Sequence, residues 1–237
     1  MNKLSILLTI IIFQLFPVKG SSTEALEFVR IEGLAEQIAG EAVINEVYQR
    51  LGYDVLITPM PGKRAFYESA RGGRDGEMLR IWSYGKTNPS LIRIPIPVAY
   101  IETQAFARSD FSYIHKDRAN YEYAIVRGVQ HTLDATMTFD KVVEFTESST
   151  MMSFVLLGRA DIALSSNLDG RYQLKLLGIK DVVPVGKVWA RHPLYHYVHE
   201  RHQALIPDIT KMIAEMESNG DLERLWHEAL TNLLDPE

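Results

Sequence analysis

Two arginines and two helix starts are the residues best placed for chemistry. Arg64 follows Pro61-Gly62 at the start of an expected helix, in a loop between strand and helix. Arg80 stands where an expected strand, Asp75 to Ile81, comes to its end. A guanidinium at the carboxyl edge of an open α/β sheet can hold a carboxylate or phosphate through paired hydrogen bonds. It can equally close an ion pair within the protein. Trp82, two residues on, would wall a cleft or fill the core. Further along, Arg127-Gly128-Val129-Gln130-His131-Thr132 joins a strand to a helix that Thr132 would cap. Thr146-Glu147-Ser148-Ser149 opens the next helix in the same way. Such starts present free N–H groups to anions, although most only cap.

Other chemistries find less support. His192, His196, His199 and His202 recur every three or four residues, as ligands on a helix face do. Pro193 and the tyrosines at 195 and 197 break that helix, so the stretch reads as an exposed connection and no metal is assigned. No GxSxG, P-loop, GxGxxG or HExxH occurs, and no cofactor is expected. There is no cysteine, hence no disulfide, thiol chemistry or lipid-anchor motif.

Two rounds of alternating strand and helix must position these residues. Leu26–Ile31 reads as a strand, and Leu34–Leu51 has helical apolar spacing ended by Gly52. Tyr53–Thr58 reads as a strand, Lys63–Arg71 as a helix and Asp75–Ile81 as a strand. This is βαβαβ, which implies a parallel sheet. The pattern repeats with strands at 121–126, 141–145 and 161–165 and helices at 132–139, 146–157 and 168–177. Between the two rounds, Leu91 to Ala107 is expected to be extended. Ile92, Ile94, Ile96 and Val98 alternate, and Pro95 and Pro97 forbid a helix and place the run at a sheet edge or a crossing between lobes. Two helices, from Pro207 and from Leu222, split at Gly220, end the chain.

GGRDGEMLRI followed by PSLIRIPIPVAYIETQAF resembles the periplasmic solute-binding protein family 3, the receptors of amino-acid-type importers. The likeness extends over almost all of the expected mature chain, including Leu156–Asp161 and Met216–Trp226. It implies a type II periplasmic-binding-protein fold: two lobes, each a mostly parallel sheet flanked by helices, joined by two crossing hinge segments near 105–109 and 187–191. It places residues 21–107 and 190–237 in one lobe and 108–189 in the other. It implies a periplasmic, monomeric receptor closing by hinge motion on a small ligand and feeding an ABC importer. A ligand-presenting partner of a membrane sensor is the alternative, as is a dehydratase-like enzyme with Glu147 as its acting carboxylate.

The chain departs from that family at two points. Members that bind α-amino acids carry an arginine near the place of Asn88–Ser90, and none stands there. They also carry an aspartate where Ser165-Ser166-Asn167 stands. The expected ligand is therefore polar or anionic and needs no α-ammonium group. Arg64, Arg80, Trp82, Arg127, Thr132, Glu147, Ser148 and Ser166 are its expected contacts.

Composition bounds these readings. A 46% hydrophobic, 23% charged chain of 237 residues can bury a core, and its charge of −5, spread evenly, gives no basic surface for nucleic acid. Residues 1–20 read as a cleaved signal peptide. Lys3 heads an apolar run too short to span a membrane, and Val18 and Gly20 precede a cleavage point before Ser21.

Overall fold

The computed structural model describes residues 25–234; the expected signal peptide and its cleavage point lie outside them. The first lobe opens with β1 (Leu26–Ile31), α1 (Ala35–Arg50), β2 (Val55–Met60), α2 (Gly62–Ala70) and β3 (Gly76–Ile81). The strands pair in parallel in the order β2-β1-β3. The helical spacing expected of α1 is realised as a buried stripe, with Val43, Ile44, Val47 and Tyr48 fully enclosed against Phe28, Met78 and Leu79. Burying that stripe is what keeps a helix of ordinary propensity folded.

Past β4 (Leu91–Arg93) the expected continuous strand breaks, and pairing resumes at β5 (Ala99–Arg108). The interruption sits at Pro95 and Pro97, which have no N–H to give a ladder. The residues flanking them stay tied to the facing strand: Ile94 N–H donates to His196 O at 2.9 Å and Val98 N–H to Leu194 O at 2.8 Å. The alternating Ile94 and Val98 are accordingly buried.

The second lobe repeats the plan with β6 (Tyr123–Val126), α3 (Gln130–Thr136), β7 (Val142–Phe145), α4 (Ser148–Leu156), β8 (Ile162–Ser166) and α5 (Asn167–Leu176). Its parallel order is β8-β6-β7. The long β9 (Val182–His199) then returns, and α6 (Ile206–Ser218) and α7 (Asp221–Leu234) pack back onto the first lobe. No helix among the described residues is long and apolar enough to cross a membrane.

The two lobes do not have separate sheets. β5 and β9 belong to both, giving one curled ladder β2-β1-β3-β9-β5-β8-β6-β7. The β5–β9 register slips between Thr103, opposite Ala190, and Ala105, opposite Val185. The extra residues on β9 form a bulge, which raises the local twist and lets the sheet curl from one lobe into the other.

β9 also corrects the reading of the histidines. His192, His196 and His199 lie on a strand, not an exposed connection, so residues four apart stand about 13 Å apart. His196 is fully buried between Tyr48 O–H (2.8 Å) and Met78 O (3.0 Å). Burial pushes its pKa down to about 4, which keeps a neutral ring that donates to Met78 and accepts from Tyr48. Among the described residues no three His, Cys, Asp or Glu side chains form a metal-binding group.

Candidate functional site

The lobes meet on two seams. The first is built around Arg80. Its side chain is buried, with Nε 3.0 Å and Nη2 3.2 Å from the Glu77 carboxylate. Tyr84 O–H (2.7 Å) and Ser69 O–H (3.0 Å) complete the shell of Glu77. The same guanidinium reaches across the lobes. Nη1 donates to Gly128 O at 3.0 Å, Nη2 to Gly62 O at 3.4 Å, and the Tyr84 ring lies 4.7 Å below. Most of the donors of Arg80 are thus spent on the protein.

Gly62 and Gly128 explain how the lobes come so close. A Cβ on Gly128 would stand 2.6 Å from the Gly62 carbonyl carbon and 2.7 Å from Lys63 N, and Gly128 has φ +82°. Only glycine satisfies both constraints. Gly128→Ala will therefore hold the lobes apart, read in small-angle scattering as a larger radius of gyration than wild type. An unchanged scattering curve would show that this contact does not govern closure.

The second seam lies where the N-terminus of α1 faces α5. Asp169, buried, collects Ser148 O–H (2.6 Å), Ser165 O–H (3.0 Å), Gln173 Nε2 (3.2 Å) and, from the opposite lobe, the Ala35 N–H (3.2 Å). Gln173 also donates to Gly33 O at 2.7 Å, a second bond between the lobes. Ser166 caps α5 by accepting from Asp169 N–H at 2.8 Å. Glu36, only 3% exposed, sits beside this cluster.

Burial, and then the nearby Asp169 charge, push the Glu36 pKa up to about 8, with a Ser166 hydrogen bond opposing the rise. Burial also raises Asp169, against the bonds from Ser148, Gln173, Ala35 and Ser165. His131 lines the same seam with Nδ1 2.9 Å from Thr103 Oγ1. Burial, then His192, press its pKa down to about 3. The space left between these groups is about 10 Å³, room for about one water.

The expected contacts divide accordingly. Thr132, Ser148 and Ser166 come together here. Thr132 does not cap α3, however: it lies inside the helix and its hydroxyl donates to Val129 O at 2.9 Å. Arg64 is exposed and Arg80 is enclosed, so the two do not converge on one group. Trp82 is 49% exposed, with Lys86 Nζ 4.3 Å over its ring, and forms a surface hollow with Arg93 and Pro89. Arg127 pairs with Glu144 at 2.8 Å on the surface, and Glu147 is exposed at the head of α4. Sequence reasoning did not single out Glu36, His131 or Asp169. Ser166-Asn167-Leu168-Asp169 carries the serine-to-acid spacing of a capping box, the local signal that could have pointed to Asp169.

This architecture, two α/β lobes joined by shared antiparallel strands, is that of the periplasmic binding proteins. A histidine kinase sensor domain with similarity to periplasmic binding proteins superposes with a TM-score of 0.75 at 16% identity, covering 87% of this chain and 96% of that one. An arginine periplasmic binding protein from Legionella pneumophila gives 0.71 at 16% identity, covering 86% and 99%. The BvgS VFT2 domain of Bordetella pertussis gives 0.69 at 15% identity, covering 86% and 92%. In sequence the chain is 27% identical over 211 residues to an uncharacterized protein of Shewanella oneidensis strain MR-1, covering 82% of this chain and 77% of that protein. No family model matches the chain.

Proposed function

We propose that this protein is an exported, non-enzymatic solute receptor that binds a small polar ligand between its lobes at the Glu36–Asp169 seam. The observation that carries this reading is the convergence of buried polar groups from both lobes, Ala35 N–H and Glu36 on one side, Ser148, Ser165 and Asp169 on the other. Polar groups of that number are costly to bury unless a partner is shared, and a ligand entering an opened seam takes over those bonds. Residues 21–107 with 190–237 act as one lobe and 108–189 as the other, with the register slip at Thr103 as the hinge. The protein works as a periplasmic monomer.

The seam favours a different ligand from the anion suggested by Arg64 and Arg80. Burial disfavours the charged form of both carboxyl groups; a bound cation or hydrogen-bond donor restores it and an anion opposes it, so the seam selects a donor or a cation. Thr132, Ser148 and Ser166 stay in the proposed contact set, while Arg80 joins the lobes. The fold neighbours include both a transport-system binding protein and a histidine kinase sensor domain, so the partner is an importer's membrane subunits or a membrane sensor. Native mass spectrometry of freshly purified protein will identify the retained ligand. Calorimetry will then show Asp169→Asn binding it roughly tenfold to a hundredfold more weakly, the loss of about 1.5–3 kcal/mol expected for a charge-assisted bond. Unaltered affinity in both Asp169→Asn and Ser148→Ala, or turnover of the retained compound, refutes the proposal.

A further inference from the structure

A cavity far larger than the space in the seam lies outside it. A space of about 600 Å³ opens on the flank of β5, between α5 of the second lobe and α7 of the first. That is within the range of small-molecule sites, whereas the seam has room for about one water. One wall is apolar and aromatic: Trp226, Leu222 and Leu230 from α7, with Pro97 below and Tyr100 beside it. Leu168 faces them from α5.

The polar lining is mostly acidic. Glu102, Glu217 and Glu223 border the cavity, Glu36 reaches it from the seam, and no ion pair engages any of the four among the described residues. Two cations share the rim, each engaged by an uncharged neighbour and neither ion-paired with the cavity's carboxylates. Arg191 stacks over the Tyr100 ring at 3.9 Å, and Arg171 donates to Asn167 at 2.9 Å. Asn167 in turn donates to Glu102 at 3.2 Å, leaving the outer carboxylates of Glu217 and Glu223 free to pair.

We propose that this cavity is a second binding site, for a small organic cation with an apolar body. The cationic group is held by Glu217 and Glu223, and the body lies against Trp226, whose ring face attracts positive charge besides. Because the walls come from both lobes, an occupant here acts on the angle between them without entering the seam.

Phenethylammonium is a suitable probe, with 3-phenylpropionate as its anionic counterpart. In a Trp82→Phe/Trp189→Phe background of the mature protein Trp226 is the one remaining tryptophan and can be excited apart from the tyrosines. Phenethylammonium will produce a saturable change in that emission, and 3-phenylpropionate will bind at least tenfold more weakly. Glu217→Gln/Glu223→Gln will weaken the ammonium probe at least fivefold, whereas Asp169→Asn will leave it unaffected. Equal binding of the two probes, no saturation, or an unchanged double variant overturns the second site. A strong effect of Asp169→Asn would assign the probe to the seam instead.

Discussion

Replacing Arg80 by alanine will cost the folded protein about 3–5 kcal/mol, read as a lower urea midpoint at an unchanged slope. The size follows from what is left behind. Glu77 is 1% exposed, and without the guanidinium its charge keeps only the Tyr84 and Ser69 hydroxyls as partners. Removing one member of a buried pair costs far more than the pair itself contributes, because the survivor's desolvation is no longer offset. The loss extends across the lobes, since Gly128 O also gives up its 3.0 Å donor. Arg80→Lys will recover only part of the stability. A lysine ammonium cannot span two carboxylate oxygens and a carbonyl of the other lobe with the planar fork that arginine supplies. A loss below about 1 kcal/mol in Arg80→Ala would mean that Glu77 is neutral or solvated and that this seam contributes little.

The second large effect is a pH dependence set by Glu36. Its carboxyl has a folded pKa of about 8, above the 4.5 of an ordinary glutamate. A raised acid favours the protonated form, so its contribution is fully present below pH 4.5 and is lost as pH rises towards 8. Each pH unit within that window removes about 1.4 kcal/mol from the stability of the closed, folded protein. Glu36→Gln keeps the shape and removes the titration. The stability difference between variant and wild type will therefore be small at pH 5 and reach a few kcal/mol in favour of the variant at pH 8. The buried histidines act in the opposite direction. His131 and His196 have folded pKa values near 3 and 4, so they lower stability as pH falls below about 6.5 in both proteins and cancel in the difference. A difference that is flat with pH would show that Glu36 is ionised or solvent-accessible in solution.

The local plan of this protein was legible in its sequence. The stripe of α1, the glycine stop at Gly52 and the alternation around Ile94 and Val98 depend on neighbours within a few residues, and each folded as periodicity required. The strand–helix repeats fixed two parallel halves for the same reason. The 18-residue β9 was hidden because Pro193 and the histidines interrupt its apolar pattern, and because it pairs with three other strands whose register no local signal announces. The site was hidden more deeply. Arg80 ends its strand as expected, but whether its guanidinium faces a ligand or clasps Gly128, 48 residues away, depends on how the lobes close. The Asp169 that joins the N-terminus of α1 lies 134 residues from Ala35. The sequence by itself determined which groups sit at strand ends and helix starts; closure of the two lobes decided which of them are taken out of water together, and desolvation, rather than residue type, then set their charge.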